Sequence, residues 1–257
     1  MRVLVISDVH ANLTALEEVM RDAERLEWLG QQGFDTVWSL GDIVGYGPHP
    51  NECIQRLREF DGHLRVAGNH DWAALGRLDV DDFNPEARRM VLWTQKELDS
   101  LSYAYLRQLP DVPQVCGEFT ITHGSPRQPV WEYIRTPSIA RENFDYFDTS
   151  FCLVGHTHVP RIYRLAGNPA SNEPRCTGYG PMYDRDIALQ DNHRLILNPG
   201  SVGQPRDNDP RASYALLDTE LEIWRYRRIS YAYEITQADM RKAGLPERLI
   251  ARLAYGW

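Results

Sequence analysis

Six short apolar runs recur along this chain, and each stops abruptly at polar residues. Val3-Leu4-Val5-Ile6 leads into Ser7-Asp8-Val9-His10, Thr36-Val37-Trp38-Ser39-Leu40 into Gly41-Asp42, and Leu64-Arg65-Val66-Ala67 into Gly68-Asn69-His70-Asp71. Phe119-Thr120-Ile121-Thr122 precedes His123-Gly124, Phe151-Cys152-Leu153-Val154 precedes Gly155-His156-Thr157-His158, and Leu195-Ile196-Leu197 precedes Asn198-Pro199-Gly200-Ser201. Near-continuous apolar runs of this length fit strands covered on both faces, as in the parallel or mixed sheets of α/β proteins. Helical spacing fills the gaps and predicts helices over 13–29, 51–60, 85–109 and 137–147, the first capped by Asn12. Further on, 212–218 and 221–231 read as adjacent strands, and 237–255 as a closing helix within the last segment, 235–257. The polar stretch 166–192, punctuated by Pro169, Pro174, Gly178, Gly180 and Pro181, reads as an inserted loop or hairpin in what is otherwise a single domain over 1–257.

In open α/β sheets, ligands bind beyond the carboxyl ends of the strands. Here those ends carry Asp8, His10, Asp42, Asn69, His70, His123, His156 and His158, five of the eight histidines of the chain. Core packing supplies no reason to concentrate His and Asp there. Three of these residues offer oxygen (Asp8, Asp42, Asn69) and four offer imidazole (His10, His123, His156, His158). Mixed nitrogen and oxygen donors suit Mn²⁺, Fe²⁺, Co²⁺ or Zn²⁺ better than Ca²⁺ or Mg²⁺. Seven donors are too many for one ion that must keep an open position, but suffice for two ions if a carboxylate bridges them.

Asp8-x-His10, Gly41-Asp42, Gly68-Asn69-His70-Asp71, His123 and Gly155-His156-x-His158, in that order, resemble the motifs of the calcineurin-like metallophosphoesterases. The resemblance covers roughly residues 1–231, and the stretches 41–48, 123–127 and 198–207 are similar to a small bacterial branch of that family. It implies a four-layer αββα sandwich, with two mixed sheets back to back and helices outside. It implies that Asp8, His10 and His158 hold one divalent ion, that Asn69, His123 and His156 hold the other, and that Asp42 bridges, with Mn²⁺ the expected metal. A metal-bound hydroxide is then the nucleophile. His70 lies beside the phosphate to stabilise charge or protonate the leaving group, and Asp71 orients its ring. Tyr46 is expected to wall the substrate pocket, and Arg127 and Arg206 to be substrate contacts, although a surface ion pair is as good a reading of either arginine. Asn198 and Ser201 are expected to brace the loops of the metal site. His49, His63 and His193 read as loop or surface residues, and Tyr133 as core.

Composition narrows the partner. A net charge of −8 argues against a general nucleic-acid or anionic-membrane surface. No apolar stretch approaches the roughly 18 residues that span a bilayer. Met1 leads straight into a strand-like run, and Cys53, Cys116, Cys152 and Cys176 form no CxxC pair. Together these predict a cytoplasmic protein. The motifs differ from those of protein Ser/Thr phosphatases, since Gly45-Tyr46 and Asp71 stand where that group has Arg and Glu, and there is little room for the capping domains of nuclease relatives. Nucleotide-type phosphodiesters or phosphomonoesters are the expected substrates. Dinucleoside polyphosphates such as diadenosine tetraphosphate are the alternative. A non-catalytic interaction scaffold on the same fold, and a mononuclear hydrolase of other esters, are the contrasting classes. A homo-oligomer through the 221–231 strand is compatible with the sequence. So is closure of the 166–192 segment over the site.

Overall fold

The structure, a computed structural model, describes residues 1–60, 64–82, 85–167, 174–189 and 193–257. The first sheet contains β1 (Arg2–Ile6), β4 (Thr36–Ser39), β10 (Asp186–Ala188), β12 (Ala212–Asp218) and β13 (Ile223–Ile229), in the order β10-β13-β12-β1-β4. The second contains β5 (Gln114–Cys116), β6 (Phe119–Ile121), β7 (Phe151–Leu153), β8 (Arg161–Ala166), β9 (Arg175–Tyr179) and β11 (Arg194–Asn198), in the order β5-β6-β7-β11-β8-β9. Both are mixed. β1–β4, β6–β7 and β7–β11 are parallel pairs, and the remaining pairs are antiparallel.

The alternation of side chains along each strand explains why the apolar runs are continuous. Val3 and Val5 of β1 face inward and pack with Phe151 and Leu153 of β7 and Leu195 and Leu197 of β11, forming the core between the sheets around Trp38, Trp224 and Tyr226. Leu4 and Ile6 face the other way. They join α1 (Leu13–Arg25) and α2 (Pro50–Arg58), which carry Leu16, Val19, Met20, Ile54 and Leu57. On the far side, Cys152 and Ile196 pack against α6 (Pro137–Asn143) through Ala140. Three apolar interfaces make four layers, the expected αββα sandwich.

Several elements differ from expectation for local reasons. The first helix ends at Arg25, not at 29. Leu29 and Gly30, both at positive φ (54° and 76°), form the tight turn of a small hairpin between β2 (Glu27–Trp28) and β3 (Gln31–Gln32). Residues 64–67 make only an isolated bridge, Ser39 to Arg65, beside the edge strand β4. A short helix, α3 (Asn69–Ala74), starts inside the Gly-Asn-His-Asp motif. The 85–109 pattern is two helices, α4 (Pro85–Glu97) and α5 (Ser100–Arg107), because the Asp99 carboxylate accepts the Ser102 amide at 2.7 Å and opens a new helix. The 137–147 pattern becomes α6 followed by a single 3₁₀ turn, Phe144–Tyr146.

The closing helix expected within 235–257 is also broken, into α7 (Tyr233–Lys242) and α8 (Glu247–Ala251). Gly244, at φ 67°, sits just past the end of α7. The Leu245 amide reaches back to the Met240 carbonyl and the Gly244 amide to that of Arg241. That is a Schellman stop, with Met240 and Leu245 making its apolar contact. Of the 166–192 segment, residues 168–173 and 190–192 lie outside those described. The rest is neither a free loop nor a simple hairpin. β9 extends the second sheet against β8, and β10 extends the first against β13.

Candidate metal centre

Four strands deliver the candidate donors. Asp8 and His10 follow β1, Asp42 follows β4, His123 follows β6, and His156 and His158 follow β7. Their loops are bent sharply. Asp8, His10, Asp42, Tyr46, His156 and His158 all have φ between 49° and 64°, a left-handed region that costs non-glycine residues free energy. Neighbouring contacts hold these loops. The Ser201 hydroxyl donates to the Asp8 carbonyl (2.8 Å), and Asn198 donates to the Gly155 carbonyl (2.7 Å) and the Thr157 hydroxyl (3.0 Å). Both residues brace the site as expected. Gly68 lies so close to Asp42 that a Cβ there would stand 2.0 Å from Oδ1.

The donors converge in two overlapping groups, Asp8–His10–Asp42–His158 and Asp42–His123–His156. Asp42 belongs to both: its Oδ2 lies 3.7 Å from His10 Nε2 and 3.4 Å from His123 Nε2. His158 Nε2 is 3.2 Å from Asp8 Oδ1 and 3.1 Å from His10 Nε2, and His123 Nε2 is 3.1 Å from His156 Nδ1. All six side chains are buried. Each imidazole presents its other nitrogen to a main-chain carbonyl: His10 Nδ1 to Val44 (3.1 Å), His123 Nδ1 to Leu40 (2.8 Å), His158 Nδ1 to Gln204 (2.5 Å) and His156 Nε2 to Trp131 (3.1 Å). A carbonyl accepts only, so that nitrogen carries the proton and, in the neutral ring, the inward nitrogen carries the lone pair. This is how protein scaffolds orient metal-binding histidines. Asp8 Oδ1, Asp42 Oδ2 and Asn69 Oδ1 are buried with no hydrogen-bond partner among the described residues. Buried oxygens and imidazole lone pairs aimed at one another need a cation, so the residues fit divalent ions.

The electrostatics agree. Burial works against the charge of Asp42, yet His123 and His70 hold its carboxyl well below the usual range. Burial alone would lower His123, but Asp42 more than offsets it and lifts the imidazole to about 9. Asp8 is pushed up to about 7, chiefly by burial. Burial also holds His10, His156 and His158 well below their ordinary value and His70 at about 4, so these rings are neutral near pH 7. Protons thus occupy this cluster only where carboxylate charge demands a cation, and a metal ion would displace them.

The remaining expected residues divide. Asn69 and His70 open α3, and the His70 amide donates to Asp42 Oδ1 at 2.8 Å. The His70 ring packs edge-on to His10 at 5.0 Å and against Tyr46 at 4.4 Å. Asp71 does something other than orient that ring. Its carboxylate accepts the amides of Asp42, Ile43, Val44 and Gly68 at 2.9–3.2 Å, so it pins the Asp42 loop to the start of α3. Arg206 stands over the Tyr46 ring, 5.7 Å from its centroid. Arg127 is no candidate for a substrate contact, because Glu132 and Glu142 compensate its charge.

Of the other histidines, His49 faces Asp239 at 3.4 Å, His193 contacts Arg164, and His63 lies outside the described residues. Tyr133, expected in the core, instead stacks on His156 at 3.8 Å, with Arg135 over its other side at 4.2 Å. No spacing in the sequence signals that stack, since 133 and 156 meet only through the packing of two loops. A cavity of about 580 Å³ runs from Tyr46 to Arg252 and Trp257, and a second of about 250 Å³ lies beside Thr157 and Arg206. Neither is lined by a described residue of the 166–192 segment.

Known proteins resemble this chain. Residues 1–222 match the calcineurin-like phosphoesterase superfamily domain. An uncharacterized protein of Methanocaldococcus jannaschii is 35% identical over 258 residues, covering 99% of this chain and 98% of its own. The crystal structure of a metallophosphoesterase from Sphaerobacter thermophilus superposes with a TM-score of 0.85 at 47% identity, over all of both chains. A symmetrical bis(5'-nucleosyl)-tetraphosphatase of Haemophilus ducreyi is 24% identical over 144 residues, 55% of this chain and 51% of that one. The domain match extends over most of the chain and falls on the fold and donor cluster found in the structure, so this protein belongs to the calcineurin-like phosphoesterase superfamily.

Proposed function

We propose that this hydrolase acts on small phosphoesters, nucleotide-type diesters or monoesters, at a centre of two divalent transition-metal ions. The carrying observation is the orientation of four imidazoles, each tied by one nitrogen to a main-chain carbonyl, with the other nitrogens gathered around buried, partnerless carboxylate oxygens. Asp8, His10 and His158 form one half of the donor set, and Asn69, His123 and His156 the other. Asp42, within reach of both, is the bridge. Ions of the Mn²⁺, Fe²⁺, Co²⁺ or Zn²⁺ type, with Mn²⁺ favoured, supply an activated water and offset the charge of an in-line phosphoryl displacement. The chain's own groups do the rest. Tyr46 and Arg206 border the space above His10, and Arg206 brings positive charge to the substrate phosphate. His70, held neutral by burial, can offer a phosphate oxygen a hydrogen bond from its ring N–H as charge develops there. A non-catalytic scaffold needs no complete donor set, and here none of the seven side chains is missing.

The test is hydrolysis of bis(p-nitrophenyl) phosphate by chelator-treated protein, with and without Mn²⁺, alongside Asp42→Asn and His70→Ala. The expected result is Mn²⁺-dependent turnover in the parent chain, lost with Asp42→Asn and lowered roughly 10²–10³-fold with His70→Ala, the range for removing one hydrogen-bond donor to developing charge. Turnover that survives Asp42→Asn overturns the bridging assignment. Failure to bind any divalent ion overturns the metal centre itself.

A further inference from the structure

The smaller cavity is lined by Arg135, Arg161, Arg206, Thr157 and Tyr163, with two aliphatic side chains and no carboxylate. Thr157 sits between His156 and His158, and the Arg206 amide donates to the His158 carbonyl at 3.2 Å, so the cavity adjoins the metal cluster. It gathers three guanidinium groups. Arg127, Arg227 and Arg228 are each matched by carboxylates within 4 Å, whereas Arg135, Arg161 and Arg206 form no ion pair among the described residues.

Neutral groups place them instead. Arg135 lies over the Tyr133 ring, which is itself stacked on His156. Arg161 lies beside Tyr163, whose hydroxyl donates to the Ile134 carbonyl at 3.0 Å. Arg206 donates to Gln204 Oε1 at 2.7 Å while its buried Nε has no partner. Three positioned charges around one cavity, with no ion-pair partner among the described residues, make an anion site, and planar guanidinium forks suit phosphate oxygens.

We propose that this cavity binds a second phosphate of the substrate, next to or beyond the one attacked, so that the preferred substrates carry at least two phosphates. This rests on the reading of the neighbouring cluster as a phosphoesterase centre. Arg206, at the boundary between the cluster and the cavity, contacts both phosphates. Arg135 and Arg161 contact the second alone.

Two readouts separate this proposal from that reading. Calorimetric titration of inorganic phosphate and pyrophosphate into the metal-loaded protein needs no turnover. The expected pyrophosphate Kd is at least about tenfold below that of phosphate, and the double change Arg135→Ala, Arg161→Ala brings the two within about threefold of each other. Arg161→Lys, which keeps the charge but not the fork, is expected to retain part of the preference, and thermal melts confirm that each variant folds. In the kinetic arm, kcat/KM for a nucleoside triphosphate relative to bis(p-nitrophenyl) phosphate is expected to fall about tenfold in the double variant, through KM. Equal binding of phosphate and pyrophosphate by the parent protein overturns the subsite, as does a preference that survives the double change. Pyrophosphate preference without turnover of any phosphoester upholds the subsite and overturns the phosphoesterase reading.

Discussion

Asp71 is the residue whose part in the centre is indirect. It touches none of the imidazoles through a hydrogen bond described in the structure, yet it gathers four main-chain amides that set the position of Asp42. Asp71→Asn replaces one oxygen by an amide group that faces those N–H donors. The expected outcome is a 10–100-fold loss of metal affinity, roughly the cost of disturbing such outer partners, read by competition with a chelating dye. Unchanged affinity would show that the Asp42 loop holds its shape without it. Gly68 sets a steric limit at the same place. Gly68→Ala puts a methyl group 2.0 Å from Asp42 Oδ1, so the variant is expected to bind less than stoichiometric metal while keeping its fold, checked by elemental analysis and circular dichroism. The convergence of Asp8, His10, Asp42, His123, His156 and His158 was legible residue by residue, because each stands at the end of an apolar run. The roles of Asp71, Arg127 and Tyr133 were not, because each depends on what a side chain meets across the fold.

At the scale of the element, the strands were easier to read than the helix ends. Strands buried on both faces announce themselves as apolar runs, and five of the six runs are strands. Helices were overextended wherever one polar residue or glycine broke a continuing pattern, as at Asp99 and Gly244. Asp99 is nearly fully exposed to solvent, and the Ser102 amide holds its carboxyl below the ordinary value of 3.8. Asp99→Ala is expected to destabilise the protein by about 1 kcal/mol in urea unfolding near neutral pH. A depressed folded-state pKa means the cap stabilises above 3.8 and is lost as pH falls through the folded value. The gap between parent and variant is therefore expected to close below about pH 4. A gap that persists in acid would mean that the side chain acts through something other than its charge.

In the whole molecule, the cluster joins the two sheets. Asp8, His10 and Asp42 belong to loops of the first sheet, and His123, His156 and His158 to loops of the second. Ions bound there would cross-link the sandwich at its carboxyl edge and so favour the folded state. Chelation is expected to lower Tm by roughly 5–10 °C, the equivalent of about 2.7 kcal/mol at a hundredfold excess of metal over Kd, with recovery on adding Mn²⁺. A melt indifferent to chelator and metal would show that the donors do not hold ions in solution.

Much of this was settled by local sequence. Apolar runs that stop at Asp, Asn and His specify strand cores with donors at their ends, because burial on both faces demands uninterrupted apolar residues and metal chemistry demands those donors. What the sequence could not show is which carbonyl fixes each imidazole, which loops adopt left-handed backbone, and which arginines stay uncompensated. Those are decided by contacts between residues far apart in the chain, such as His158 with Gln204 and His123 with Leu40, or by the lack of an ion pair to Arg161 among the described residues. Such contacts exist only once two sheets have packed face to face, and neither composition nor periodicity carries a trace of them.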